Sequence, residues 1–296
     1  MTGADLHDYP VDPVGYGCSR PDPAWPAGSG LAVQLSIVVP DAAPDAAPDS
    51  VRGAAEAASH GVAAATDSPE RGFERARRAG VRRRRSTGYG SRVGIHRLRQ
   101  LLRQHHLPAT WFLAPSLAER LPAFAAGLVA DGQEVALLGS AADLAGGQAA
   151  IGRLRDRLAR VTGTAPVGWR SLSRHPDGRK TLVAAGGFLY DTDAADDDLP
   201  YWQLAAGRPL LVLPATPLAG RGAAAMARAL ARGRAEAPAR PQCLRLEVDP
   251  DRLGRPDEAE AFAAMLAELA SGPDLWVATA AAMARHWGDR FPFTWD

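Results

Sequence analysis

The sequence predicts an α/β protein built on a closed or nearly closed β/α barrel with a parallel sheet, resting on three observations. Short apolar runs alternate with helical patterns from Leu31 to the last residues. Most of those runs are apolar throughout rather than on alternate positions, as strands covered on both faces must be. No GxGxxG follows the first run and no Walker sequence occurs anywhere, which sets aside the open nucleotide-binding sheets of similar length. With 296 residues, 46% of them hydrophobic, the chain can fill one large core, and a single barrel domain over residues 1–296 is expected.

The elements follow in order. Residues 1–30 are rich in Pro, Gly and Asp and read as an extended N-terminal arm. Leu31–Val39 is a β-branched apolar run closed by Pro40, long enough for a buried strand. Residues 40–88, with PDAAPDAAPD, an Ala/Gly stretch and Arg82–Arg85, read as a low-complexity insertion or loop within the domain. Leu98, Leu101 and Leu102 line one face of a helix from Ser91 to His105, and ATWFL (109–113) follows as a strand. Ser116 and Glu119 have capping-box spacing and predict a helix running to Ala130. QEVALL (133–138) is strand-like, and 148–161 is a helix with Leu154, Leu158 and Val161 on one side. Strands are then expected at 165–169, 187–191, 210–214, 243–248 and 274–278. Helices are expected at 176–185, 222–233, 257–270 and 280–287, the last capped by Thr279. About eight strands result.

Composition excludes several function classes. Lys+Arg number 34 and Asp+Glu 33, for a net charge of +1, so no field gathers nucleic acid or a membrane surface. Lys180 is the only lysine, so arginine runs reflect a bias of the whole chain, and Arg82–Arg85 read as solvated loop rather than an RNA or phosphate site. Cys18 and Cys243 make neither a disulfide framework nor a CxxC pair and read as structural thiols. The opening residues lack the basic and apolar regions of a signal peptide, and no apolar stretch reaches membrane-spanning length, so a cytoplasmic location is expected.

In such barrels chemistry sits at the carboxyl ends of the strands. Three of those ends stand out: GWRS (168–171), GGFLYDTDAADDDLPYW (186–202) and EVDPDRLGRP (247–256). Together with DPVGYG, PDPAWPAG, YGSRVGIHRL, LPATWF, QEVALLG and the closing ARHW and FPF, they resemble the polysaccharide-deacetylase-like superfamily in its allantoinase-type branch. The motifs keep their order from residue 9 to the C-terminus. The resemblance implies a distorted (β/α) barrel of about seven parallel strands and hydrolysis of a non-peptide C–N bond: N-acetyl amides in the wider superfamily, a cyclic ureide in this branch. Divalent metal serves the deacetylases, and the allantoinase-type branch is held to need none. Several positions depart from the family pattern. After the first strand only Asp41 remains of two acids; Leu138 stands where a histidine precedes Gly139; Gly88 replaces the acid before YGSR; Asp249–Pro250 replaces a His-Pro turn; and Ala215–Leu218 replace a polar continuation.

The candidate catalytic residues are therefore Asp41, Arg170 and Asp249, with Trp169, Asp193, Tyr201 and Trp202 as candidate substrate contacts. No metal ligand or cofactor is expected, since only His175 of the seven histidines falls near a strand's carboxyl end. Each candidate has a second reading. Asp41 could be a general base or one more Asp of a repetitive tract. Arg170 could clamp a carboxylate or ureide, or pair with an acid of residues 191–198. Asp249 could replace the lost histidine or cap a helix. Asp191, Asp193, Asp196, Asp197 and Asp198 could hold a cation or build the loop, and Tyr190, Tyr201 and Trp202 could stack on substrate or pack the rim. Two functions are carried forward: a C–N hydrolase of reduced or lost activity acting on a small amide or ureide, and a catalytically silent relative serving as scaffold, regulatory subunit or small-anion binder. The expected partners are a small molecule and further copies of the chain, or an active homologue in a hetero-oligomer, with no nucleic acid or membrane.

Overall fold

The computed structural model describes residues 16, 20–41, 88–173, 175–218, 220 and 222–295. Cys18, Arg82–Arg85 and the expected insertion between residues 41 and 88 lie outside the described residues.

Among the described residues, nine strands form one sheet: β1 (Leu31–Val39), β2 (Thr110–Leu113), β3 (Glu134–Gly139), β4 (Gly168–Ser171), β5 (Tyr190–Asp191), β6 (Tyr201–Ala205), β7 (Arg208–Val212), β8 (Gln242–Val248) and β9 (Leu275–Val277). Their order is β6-β7-β5-β4-β3-β2-β1-β8, with β9 also paired to β1. The path β8-β1-β2-β3-β4-β5-β7 is parallel throughout, and only β6 runs antiparallel, against β7. This is the expected distorted barrel of about seven parallel strands, with β9 added in parallel beside β1 and β6 as an antiparallel edge strand. Between β7 and β8 there is no strand pairing. The gap is bridged where Thr216 N–H donates to Arg245 O (3.2 Å) and Cys243 N–H donates to Asp198 O (3.0 Å).

Period-two alternation explains why the strands are apolar on both sides. Leu31, Val33, Leu35, Ile37 and Val39 of β1 join an outer core with Trp111, Leu137 and Trp169. Helices α1 (Ile95–Gln104), α2 (Pro115–Arg120), α3 (Pro122–Ala130), α4 (Ala141–Ala145), α5 (Gly147–Thr162), α6 (Gly178–Ala185), α7 (Ala223–Glu236), α8 (Pro250–Leu253) and α9 (Pro256–Ser271) surround the strands, and side chains from all nine enter this core. The opposite faces, Ala32, Phe112, Ala136, Leu138, Tyr190 and Leu211, meet inside the barrel, and α10 (Ala280–Arg290) packs into that inner cluster. Trp25 of the N-terminal arm joins them, its indole N–H donating to Gln242 O at 3.1 Å.

The amino end of the barrel is tied by Glu134. Its carboxylate accepts from Thr110 Oγ1 (2.8 Å), Tyr190 Oη (2.8 Å) and the Ala281 N–H (2.9 Å) in the first turn of α10. Burial pushes this carboxyl above the usual range, and the three donors oppose the shift. At the carboxyl end, YGSRVG forms a π-turn (Gly90–Gly94) that docks on DPDRLGRP. The Gly90 N–H donates to Asp251 Oδ1 at 2.6 Å, and Tyr89 Oη donates to Gly254 O at 3.5 Å. A Cβ on Gly94 would stand 2.2 Å from Pro250 O, so only glycine lets the two backbones come this close.

Three expectations are corrected. Ser116 and Glu119 form no capping box: Leu121, which precedes Pro122, has ψ 56°, away from the helical region that a residue before proline avoids, and this separates α2 from α3. The capping box belongs instead to Ser140 and Asp143 at the start of α4. The strand expected at 187–191 shrinks to Tyr190–Asp191, since Gly186 and Gly187 take φ of 72° and 76°. The β6–β7 hairpin was not expected. Its turn, Ala206–Gly207, has positive φ at both residues but lacks the Asn or Asp that signals such turns.

Candidate functional site

The carboxyl ends of β1, β4 and β8 and the segments that follow β5 and β7 line a cleft of about 960 Å³. Its floor is charged because β8 places alternate residues inward. Cys243 packs with the inner core, while Arg245 lies one layer higher and Glu247 at the mouth. Arg170 reaches the same point from β4. Its Nη1 donates to Thr192 O (2.8 Å), and its Nη2 lies 2.5 Å from Glu247 Oε1. Arg245 approaches from beneath, donating from Nη2 to the same Thr192 O (2.9 Å) and from Nη1 to Ser36 Oγ (3.3 Å), with Nη1 3.6 Å from Glu247 Oε1. The two guanidiniums thus share one carbonyl and one carboxylate oxygen.

Arg245 is 1% exposed and its Nε has no hydrogen-bond partner. Burial lowers its pKa to about 10 against the attraction of Glu247, and the Arg170 charge adds to the lowering, so it stays cationic at neutral pH. Asp193 lines the cleft beside Arg170 and accepts from the Ser171 N–H at 2.7 Å. Burial and the neighbouring Asp191 raise its pKa, opposed by Ser171 and Arg170.

The structure therefore brings Arg170, Asp193 and Asp249 to one cleft. Asp249 also caps α8, accepting from the Asp251 N–H at 2.9 Å. Arg170 has its side-chain ion pair with Glu247; with residues 191–198 it bonds only through the Thr192 carbonyl. The other candidates stand elsewhere. Asp41 is outside the lining, its carboxylate paired with Arg120 (Nη1 to Oδ2, 2.7 Å) and hydrogen-bonded by Ser116. Trp169 is corrected as a substrate contact: it is fully buried in the outer core, its indole N–H donating to Ser171 Oγ (2.8 Å), with the ring seated over Gly139. Tyr201 and Trp202 lie on β6 away from the cleft lining. Tyr201 Oη donates to Asp196, and the Trp202 indole donates to Phe291 O at 2.7 Å with Phe293 against its ring. The acids of 191–198 are used in the loop: Asp191 by Arg179, Asp196 by Tyr201, Asp197 by the N–H groups of Asp198 and Leu199, and Asp198 by Arg20.

Glu247 opens the segment EVDPDRLGRP that stands out in the sequence, but neither it nor Arg245 is among the candidate residues named there. The available signal was CLRLEV itself, which puts Cys243, Arg245 and Glu247 on one strand face and Leu244, Leu246 and Val248 on the other.

The divalent metal associated with deacetylases finds no matching donor set. Among the described residues no group of three or more His, Cys, Asp or Glu could hold an ion, and no described histidine lines the cleft. Leu138, at the position where the resemblance leads one to expect a histidine, is buried in the inner core.

Neither a family model nor a curated protein sequence matches the chain. Solved structures do. PuuE allantoinase superposes with a TM-score of 0.78 at 25% identity, covering 97% of this chain and 99% of that one. A protein described as a polysaccharide deacetylase from Pseudomonas aeruginosa PAO1 gives 0.77 at 26% identity, covering 97% and 100%. A third structure, from Mycobacterium smegmatis and also described as a polysaccharide deacetylase, gives 0.67 at 23% identity over 92% and 96%, and bears on the fold alone. The ordered motifs, the seven-strand parallel path and these near-complete superpositions agree: the chain belongs to the polysaccharide-deacetylase-like superfamily, on its allantoinase-type side.

Proposed function

We propose that the cleft binds a small cyclic ureide or N-acyl amide and that the chain's capacity to hydrolyse it is reduced or lost. One observation carries this reading. Arg170 and Glu247 meet at the cleft mouth as a guanidinium–carboxylate pair, offering a donor for a carbonyl oxygen and an acceptor for an N–H. The expected general base, Asp41, is not beside them. The carboxylate of Asp41 is engaged by Arg120 and Ser116, and no described histidine lines the cleft. A general base contributes on the order of 10²-fold or more, so its loss lowers turnover by roughly that factor.

The test is the purified chain with allantoin and with N-acetylated sugars, with and without Zn²⁺ or Mn²⁺, following product release and, by calorimetry, binding. Saturable ureide binding with turnover far below that of an active homologue is the expected result. Rapid hydrolysis abolished by Asp41→Ala would establish the competing reading, a working C–N hydrolase with Asp41 as base and Arg170 as clamp.

A further inference from the structure

We infer that Glu247 selects the ligand, accepting hydrogen bonds from an N–H edge so that the cleft takes ureides carrying free N–H groups and rejects their N-alkylated forms. The inference rests on the reading of the cleft as a ureide or amide site and goes beyond it by naming the residue and the ligand edge. Three observations support it. Glu247 lines the cleft with its side chain 41% exposed, although the strand that carries it is otherwise largely buried. The shortest contact from each arginine is to Oε1, at 2.5 Å from Arg170 and 3.6 Å from Arg245, while 41% of the side chain stays open to the cleft and to a ligand. The carboxylate is also held in place. Arg245 is buried beneath it and tied to Ser36 and Thr192, and Arg170 is tied to the same Thr192 carbonyl, so the acceptor is preorganised rather than recruited on binding.

The chemistry of the pair sets the ligand. A planar –NH–C(=O)– edge can donate to Glu247 while its oxygen accepts from Arg170, which matches one acceptor and one donor side by side. A ligand carboxylate would gain Arg170 but face Glu247 at close range, and like charges brought together there are unfavourable. Methylating the nitrogens removes the donors and covers the ligand-facing side of a charged acceptor without replacing its hydrogen bonds to water, which costs more than the bond itself contributes.

The probes are hydantoin and N,N′-dimethylhydantoin, titrated calorimetrically into the wild-type chain and into Glu247→Gln. Wild type should bind hydantoin at least about tenfold more tightly than the dimethyl compound, the scale of a hydrogen bond to a charged group. Glu247→Gln should reduce this preference severalfold, mainly by weakening hydantoin, while the dimethyl compound is little changed. A preference that persists in full in the variant overturns the role of Glu247 and leaves the ureide reading intact. Wild type that binds neither probe overturns the ureide reading and the inference with it. Should Glu247→Gln fail to fold, Glu247→Asp keeps the charge beside both guanidiniums, draws the oxygens back by one methylene, and is held to the same comparison.

Discussion

Gly94→Ala isolates the contact between the YGSRVG turn and the DPDRLGRP segment. Gly94 has φ −58° and ψ −46°, which alanine adopts freely, so backbone conformation is not at issue. What changes is space: the added Cβ would lie 2.2 Å from Pro250 O and 3.0 Å from Pro250 C. Ordinary contact is about 3.5 Å, so the two backbones must part by roughly 1 Å. Neither yields easily, because the Gly90 N–H is bonded to Asp251 and the Gly254 carbonyl is held by Tyr89 and Arg97. Overpacking against backbone costs about 3 kcal/mol, which lowers the melting temperature by roughly 6–12 °C in a chain of this size. Gly152→Ala is the internal control. Its Cβ would meet nothing within 4 Å on the surface of α5, so the same substitution should stabilise by about 0.5–1 kcal/mol through helix propensity. Thermal unfolding by circular dichroism reads both. A Gly94→Ala protein melting within about 2 °C of wild type would refute the argument from close approach.

Further outcomes follow from the described contacts. Glu134 holds its proton to higher pH in the folded chain than in the unfolded one, so its contribution to stability is present below the unfolded value near 4.5 and is lost as pH rises through the raised folded value. Urea unfolding across that range should show wild type losing stability relative to Glu134→Gln as pH rises, and a difference independent of pH would contradict it. Arg120→Gln should cost no more than about 1 kcal/mol, since the side chain of Arg120 is 49% exposed. It should also leave hydantoin affinity unchanged, because neither Arg120 nor Asp41 lines the cleft; a tenfold loss would bring Asp41 into the site. Added Zn²⁺ should leave the melting temperature within about 1 °C of the metal-free value, whereas a well-formed site at a hundredfold excess over its Kd would stabilise by about 2.7 kcal/mol.

Most of the fold was legible because burial on both faces leaves a plain record: Leu31–Val39 coincides with β1, and 243–248 differs from β8 by one residue. Elements set by backbone geometry were not. Pro122 divides a helix that capping chemistry alone would continue, and the Ala206–Gly207 turn adopts positive φ without a residue that announces it. The site was legible in place more than in membership. Arg170, Asp193 and Asp249 do line the cleft at strand ends. Trp169, though adjacent to Arg170, faces the helices because strand neighbours point to opposite sides. Asp41 lies next to Pro40 of the cleft wall, yet its partner Arg120 lies on α2, a contact between distant segments that no local pattern encodes.

The strand β1 is shared along its length. On one edge it pairs with β8; on the other, Leu31–Val33 pair with Leu275–Val277 and Ser36–Val39 with Thr110–Leu113. This strand therefore acquires its last partner only when Leu275–Val277, more than 230 positions downstream, have been made. Contact order is correspondingly high, which favours slow, late-committing folding. Until Leu275–Val277 arrive, a strand apolar on both faces has an open edge, and in that interval the nascent chain is most exposed to self-association.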